Sequence, residues 1–236
     1  MRLYPPRPDD SVLEIAAGTG ALTTLLAKHA DSVLATDLSP QMVQHIARDA
    51  NDLGLSNVRP AVADIASLAF PEESFDSVYC MFGIMFFPEP QKNLRDLMRV
   101  LRPGGRCVIT SWNTRSQLLA PVAAAMTKLM PQSPQARALN ELPPYGDCGV
   151  FAEKLQQAGF EDVVCTEVEH GLEIPSVEVY IRVFPGTNPD GIAMQRMPQP
   201  LIDSMGVAIE GELKNRFGDG PIVLAGVANI ASGRKP

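Results

Sequence analysis

A turn made only of Ala, Gly and Thr is the feature that most constrains the fold of this chain. Residues 12–20 (VLEIAAGTG) form an apolar strand pattern that runs into this turn, and residues 21–30 continue with apolar residues at helical spacing. Small residues let the backbone pass close to a ligand, and the helix behind the turn presents free N–H groups. A second apolar run, residues 32–37, ends in Asp37, where related folds hold ribose hydroxyls. The pattern predicts a site for an adenosine-type cofactor.

The spacing of small residues in the turn helps to distinguish a dinucleotide from another adenosine-type cofactor. A dinucleotide fingerprint requires Gly-x-Gly-x-x-Gly, and the three corresponding positions here are Ala16, Gly18 and Ala21. Only the middle glycine is present. A nicotinamide-dependent oxidoreductase is therefore an alternative that the turn itself disfavours.

Composition excludes several classes of protein. The 236 residues suffice for one sizeable α/β domain, and the hydrophobic content of 45% is that of an ordinary globular protein. A net charge of −7 argues against a nucleic-acid surface, which needs clustered Lys and Arg. The sequence contains no apolar run of membrane-spanning length and no signal-type N-terminus, so we expect a cytoplasmic protein without a membrane span.

The four cysteines show no Cys-x-x-Cys spacing, and no metal site is predicted. Three of them lie in apolar, strand-like runs. The pattern favours buried free thiols, which suit a reducing cytosol. The four are Cys80, Cys107, Cys148 and Cys165.

Strand and helix patterns alternate through the first half of the chain, which predicts a doubly wound, mostly parallel α/β sheet with right-handed crossovers. Pro60 lies inside the third strand pattern and lacks an N–H, so this strand is expected at an edge of the sheet. The second half is looser, with two insertions. Predicted strands cover residues 11–15, 32–37, 57–64, 75–80, 106–112, 162–170 and 222–231. Predicted helices cover residues 21–30, 40–53, 91–101, 150–158, 177–183 and 201–217.

Candidate functional residues converge on one edge of this predicted sheet. The glycine turn, Asp37, Asp64 and the segment after Cys80 all follow the carboxyl ends of strands. Ligands of open α/β sheets bind outside those ends, at the point where the strand order reverses. This convergence is more informative than any single residue.

The order of motifs resembles that of class I S-adenosylmethionine-dependent methyltransferases. Within that family, the segments CMFG (80–83) and MFFPEP (85–90) are most similar to the small-molecule methyltransferases of ubiquinone and menaquinone biosynthesis. The resemblance implies a seven-stranded Rossmann-like sheet with an antiparallel last strand and S-adenosyl-L-methionine as cofactor. It implies one domain over residues 1–236, with a cofactor-binding half (1–112) and a half (113–236) that carries insertions 116–145 and 174–200 and the last two strands. The motifs are residues 12–20, 36–39, 63–65, 75–78 and 101–106.

The resemblance also implies roles for individual residues. Asp37 would accept hydrogen bonds from both ribose hydroxyls, and Asp64, helped by the Ile65 N–H, would bind the adenine amino group. Two alternatives stay open, since Asp64 could cap the next helix and Met42 could be a core residue. The remaining assignments are Ala16, Gly18 and Gly20 beside the methionine part, Met42 on the adenine ring, and Cys80, Met81 and Phe82 near the sulfonium.

The methyl acceptor is expected to be a small hydrophobic molecule. We expect its pocket between residues 81–87 and the inserted helices of residues 116–145, because both segments are apolar. The apolar residues concerned are Phe82, Met85, Phe86, Leu118, Leu119 and Met126.

Catalytic residues and the oligomeric state cannot be assigned from the sequence. His29 and His45 are expected at the surface, and His170 is the one histidine considered near a substrate. The family carries helices before its first strand that cover the site. Two alternatives stay open here: the two insertions take this role, or the chain is a shortened form whose site has no such cover. A non-catalytic or repurposed member of the fold remains an alternative.

Overall fold

A seven-stranded mixed sheet organises the computed structural model, which describes residues 3–134, 136–137, 145–183, 197–218 and 221–236. Its strands are β1 (Ser11–Ile15), β2 (Ser32–Asp37), β3 (Val58–Val62), β4 (Phe75–Met81), β5 (Leu101–Trp112), β6 (Glu161–Ile174) and β7 (Ile222–Arg234). The strand order is β3-β2-β1-β4-β5-β7-β6, and the pairs from β3 to β5 are parallel. The predicted fold class is confirmed, including the antiparallel last strand and the edge position of β3.

Seven α-helices with described bounds accompany the sheet. They are α1 (Thr23–Leu26), α2 (Pro40–Asp52), α3 (Pro90–Val100), α4 (Ala120–Leu129), α5 (Cys148–Gln157), α6 (Val177–Val183) and α7 (Gln199–Phe217). The longest lie close to their predicted positions, and α6 matches its prediction residue for residue. Ser39 begins α2 as predicted, because its hydroxyl accepts a hydrogen bond from the Met42 N–H at 3.5 Å and Pro40 follows at the first helical position.

Contacts divide the chain into two compact units. The first comprises the described parts of residues 1–113, 144–167 and 229–236, and the second those of residues 114–143 and 168–228. The first unit buries its apolar residues in two clusters, around Leu13 and around Val12, and the second has a cluster around Met205. The assignment of residues 1–236 to a single domain stays a prediction. No helix in the described ranges is both long and apolar enough to cross a bilayer.

The first helix is much shorter than the predicted span of residues 21–30. It ends at Leu26, and the carbonyl oxygens of Ala27 and Ala30 accept hydrogen bonds from the Asn57 amide at 2.9 and 3.1 Å. A side chain distant in sequence therefore binds the carbonyl groups that a longer helix would leave free.

The sequence predicts a turn between helix and strand at Pro103-Gly104-Gly105, and this is wrong. Strand β5 already begins at Leu101, but its register with β4 jumps between the pair Phe75–Leu101 and the pair Ser77–Arg106. The intervening residues form a bulge that exchanges backbone hydrogen bonds with Lys235. The partner lies at the other end of the chain, so local sequence could not reveal it.

The cysteine prediction is half correct. Cys80 and Cys107 are buried free thiols as expected, whereas Cys148 and Cys165 form a disulfide with Cα atoms 5.5 Å apart. The bridge joins the start of α5 to β6, and this proximity is a result of the tertiary fold. Because the cytoplasmic expectation rested partly on free thiols, it stays a prediction.

Candidate functional site

The glycine turn (residues 16–20) follows β1 and runs in the left-handed backbone region at three positions. The φ angles are +54° at Ala16, +58° at Gly18 and +86° at Gly20. A Cβ on Gly20 would lie 3.1 Å from Cγ1 of Ile46, whereas a Cβ on Gly18 would meet no atom within 4 Å. Gly20 thus allows close packing of α2, and Gly18 borders open space that a ligand could fill.

Asp37 links the ends of β1 and β2 across this space. Its Oδ2 accepts a hydrogen bond from the Gly18 N–H and its Oδ1 accepts one from the Ser39 N–H, both at 2.8 Å. A carboxylate offers about four lone-pair positions, so each oxygen retains capacity for one more donor. The half-exposed side chain can therefore fix the turn and still accept two hydrogen bonds from a ligand.

Glu14 lies beneath the glycine turn and is only 1% exposed. Its Oε2 accepts a hydrogen bond from the Thr23 hydroxyl at 2.5 Å, which connects β1 to α1 on either side of the turn. Burial raises the pKa of Glu14 from its ordinary value of 4.5 to about 7; the Thr23 hydrogen bond opposes the shift and the negative charge of Asp37 adds to it. Through these contacts Glu14 helps to order the glycine turn from below.

Asp64 and Ile65 follow β3 at the same edge. Oδ1 of Asp64 accepts a hydrogen bond from the Ala66 N–H at 2.8 Å and so caps the short 3₁₀ helix Ile65–Ser67. The capping alternative is therefore real, but it engages one oxygen of an exposed carboxylate and leaves the other for a ligand. The carbonyl of Ile65 accepts a hydrogen bond at 2.9 Å from the fully buried Asn93.

Met42 lies on the first turn of α2 and is half-buried. The residues by which α2 enters the core are Ile46 and Ala50. Met42 therefore presents apolar surface near Asp37 while the helix is anchored elsewhere. Its predicted contact with an adenine ring stays a prediction.

The loop after β4 (residues 81–87, here the β4 loop) also approaches the glycine turn. Phe82 has a φ of +58°, its N–H donates to the Thr110 hydroxyl at 2.9 Å, and its ring stacks on Trp112 with centroids 4.1 Å apart. A Cβ on Gly83 would lie 2.5 Å from the Cβ of Ala16, so only glycine permits this approach. Met81 and Phe82 are half-buried beside the turn.

Cys80 differs from its neighbours because its side chain is 1% exposed and packs in the core around Leu13. Burial raises the pKa of this thiol to about 12, so it is protonated at neutral pH. Its predicted place beside the cofactor stays a prediction.

The residues predicted to line an acceptor pocket have different environments. In the first unit, Met85 is half-buried and Phe86 is 57% exposed at the end of the β4 loop. In the second unit, Met126 is 1% exposed and belongs to the core, against which Leu118 and Leu119 pack. The pocket itself stays a prediction.

The three histidines lie at the protein surface. His29, His45 and His170 are all exposed, and His45 lies 3.6 Å from Asp49 on the same helix. The surface positions of His29 and His45 are confirmed. His170 is exposed on β6, and a catalytic role for it stays untested.

Sequence reasoning missed three residues that position the site. Asn93 holds the Ile65 carbonyl, Thr110 holds the Phe82 N–H, and Gly83 allows the contact with Ala16. A buried-face Asn on α3 was a detectable signal, because an unpaired amide is costly in a core. Thr110 gave no such signal, since threonine is an ordinary strand residue.

Comparison with known proteins agrees with this geometry. A model of a methyltransferase domain family matches residues 13–109. A demethylmenaquinone methyltransferase of Clavibacter sepedonicus is 34% identical over 69% of this chain and 70% of its own length. A nocamycin O-methyltransferase of Saccharothrix syringae is 30% identical over 76% and 69%. The YcgJ protein of Bacillus subtilis shares the fold, with a TM-score of 0.62, 18% identity and coverage of 97% and 93%.

The relatives and the fold together define an enzyme that transfers methyl groups. The chain belongs to the class I S-adenosylmethionine-dependent methyltransferases, and its relatives place it with those of the quinone-biosynthesis type. The match supports this class over a nicotinamide-dependent oxidoreductase.

Proposed function

We propose that this chain binds S-adenosyl-L-methionine at the carboxyl ends of β1, β2 and β4 and transfers its methyl group to a small hydrophobic acceptor. The observation that carries the proposal is the carboxylate of Asp37. It receives one backbone N–H on each oxygen and borders the open space above Gly18. A ribose diol offers two O–H donors, and charge-assisted hydrogen bonds to a carboxylate are stronger than neutral ones.

The remaining site residues suit the other parts of the cofactor. The free oxygen of Asp64 suits an adenine amino group, and Met42 and the 67% exposed Leu38 offer apolar surface to its ring. Gly18 leaves open space for the methionine part, Ala16 and Gly20 are proposed to border it, and Cys80, Met81 and Phe82 are proposed to lie near the sulfonium.

The protein's own contribution to the reaction is mainly alignment. The bound cofactor supplies an electrophilic methyl group on a sulfonium. The chain orients the acceptor in line with it and excludes water, which removes much of the entropic barrier. The β4 loop contains no titratable side chain, so the proposal favours a carbon nucleophile or an acceptor that is already ionised.

The acceptor is proposed to be hydrophobic for two reasons. Phe82, Met85 and Phe86 present apolar surface on the β4 loop. The names of the relatives point to a demethylated menaquinone and to nocamycin as their acceptors. A quinone-like ring is therefore the class of acceptor to test first.

Titration with S-adenosylhomocysteine tests the proposal. Trp112 is the single tryptophan and stacks on Phe82, so its fluorescence reports ligand binding beside the β4 loop. We expect Asp37→Ala to weaken binding by about 1.5–3 kcal/mol, the range for hydrogen bonds to a charged group. NAD should not bind.

Asp31→Ala is the matched control, because Asp31 is exposed and immediately precedes β2, at the end of the strand opposite to Asp37. It should bind S-adenosylhomocysteine like the unmodified protein. Equal affinity of the two variants would exclude Asp37 as the ribose-binding residue.

A further inference from the structure

A second cavity lies in the first unit, at the amino ends of the parallel strands. It has a volume of about 320 Å³ and is lined by residues that precede β1 or begin β4 and β5, among them Arg7, Ser77 and Arg106. The glycine turn follows the opposite end of β1. This cavity is therefore separate from the cofactor site, and its volume is at the lower end of the range for small-molecule sites.

The cavity is basic although the protein carries a net charge of −7. Four arginines and two aspartates line it, and the formal charges of these lining residues sum to plus two before the acids that Arg234 contacts outside the cavity are counted. The four arginines are Arg7, Arg102, Arg106 and Arg234, and the aspartates are Asp10 and Asp76.

Two of the four arginines are already engaged. Arg102 forms an ion pair with Asp76 at 2.5 Å, and Arg234 contacts Asp162 at 2.7 Å and Glu161 at 3.0 Å outside the cavity. The Asp76 carboxylate also accepts the Ser11 N–H at 2.8 Å, so its hydrogen-bonding capacity is largely used. Burial alone would raise the pKa of Asp76, but hydrogen bonds from Arg102 and Ser11 and the charges of Arg102 and Arg7 hold it below its ordinary range.

The other two arginines are available to a ligand. The guanidinium groups of Arg7 and Arg106 make no hydrogen bond or ion pair with any residue in the described ranges. Guanidinium groups match the oxygens of phosphates and carboxylates with paired, charge-assisted hydrogen bonds.

Ser77 provides an independent indication of a ligand. It lines the same cavity, is 2% exposed, and its hydroxyl has no hydrogen-bond partner among the described residues. The hydroxyl of Tyr79, next on the same face of β4, donates to the Tyr4 carbonyl at 2.9 Å, and it interacts with Ser77 electrostatically but outside hydrogen-bond geometry. A buried hydroxyl without a partner is unfavourable, and a bound oxygen atom in the cavity would satisfy it.

We propose that this cavity is a second ligand site, which binds the phosphate group of a small molecule through Arg7, Arg106 and the Ser77 hydroxyl. Two cations and one hydroxyl donor suit the several acceptor oxygens of a phosphate. The site lies at the opposite end of the strands from the proposed cofactor site.

Calorimetric titration with inorganic phosphate and pyrophosphate tests the proposal, with ionic strength held constant by sodium chloride. Both anions should bind the unmodified protein, and the double variant Arg7→Ala/Arg106→Ala should bind them at least tenfold more weakly. Ser77→Ala should reduce affinity at least threefold without lowering the melting temperature, because it removes a hydroxyl that has no partner among the described residues. Arg59→Ala is the control, since Arg59 is exposed on the distant edge strand β3.

The outcomes separate the ligand site from a merely basic surface. Loss of phosphate binding in the double variant, with normal binding in Arg59→Ala, supports the proposal. Absence of phosphate binding to the unmodified protein overturns it, and so do equal losses of affinity in the double variant and in Arg59→Ala. Malonate, a dicarboxylate, is titrated as a third anion. If malonate binds and phosphate does not, the phosphate assignment is overturned. Binding of S-adenosylhomocysteine should be unchanged in every variant, so failure here is distinct from failure of the proposed methyltransferase site.

Discussion

The glycine turn and the β4 loop both adopt left-handed backbone conformations at one edge of the sheet, but different forces hold them. At Gly18 the residue type removes the steric cost, and open space lies where a side chain would be. At Phe82 a bulky residue takes the same conformation, held by the Thr110 hydroxyl and by stacking on Trp112. Gly18 leaves open space that a ligand could fill, whereas Phe82 fills the space at its own position with an aromatic ring stacked on Trp112.

The largest expected effect comes from closing the space at the glycine turn. Gly18→Val should abolish binding of S-adenosylhomocysteine, a loss of more than about 4 kcal/mol or three powers of ten in affinity. The branched side chain would occupy the volume proposed for the ligand and would strain a left-handed residue. Isothermal calorimetry measures the loss.

Gly54→Val is the control for strain alone. Gly54 has a φ of +66°, a Cβ placed on it would meet no atom within 4 Å, and it follows α2 away from the site. Both variants should lose similar stability, and only Gly18→Val should lose binding. Equal affinities would show that the space at Gly18 is not a ligand site.

The two turns also differ in how far local sequence could predict them. The glycine turn, Asp37 and the start of α2 follow from short-range signals: small residues, a strand that ends in an acid, and Ser39-Pro40. The hydrogen bond from Phe82 to Thr110, the bulge paired with Lys235 and the Cys148–Cys165 bridge depend on residues far apart in the chain. No periodicity encodes such contacts, so the residues that position the site were harder to predict than those proposed to bind the ligand.

The next prediction concerns the acid beneath the glycine turn. Glu14 has a pKa of about 7 in the folded protein against 4.5 ordinarily, because burial favours the neutral form. A raised folded-state pKa contributes stability that is complete below pH 4.5 and is lost as the pH rises through 7. By pH 8.5 the folded protein should lose about 3 kcal/mol of unfolding free energy from this group.

Glu14→Gln should remove that part of the pH dependence, because its amide stays neutral and can still accept the Thr23 hydrogen bond. Urea unfolding at a series of pH values from 5 to 8.5 measures the difference between the two proteins. Glu72→Gln, at an exposed position, should follow the unmodified profile. Parallel profiles for Glu14→Gln and the unmodified protein would contradict the raised pKa.

The smallest effect is expected from removing the hydrogen bond between Thr110 and the β4 loop. Thr110→Val keeps the side-chain shape but removes the oxygen that accepts the Phe82 N–H, and should cost about 1 kcal/mol of stability. Because the loop then loses one restraint on its left-handed residue, the fluorescence of Trp112 should change in the folded protein. Thr166→Val, at a half-buried strand position whose hydroxyl makes no hydrogen bond with the described residues, should change neither quantity. If Thr110→Val behaves like Thr166→Val, the hydroxyl is not needed to hold the β4 loop. Aromatic stacking and the close contact at Gly83 then hold it, and the β4 loop differs from the glycine turn only in its side-chain packing.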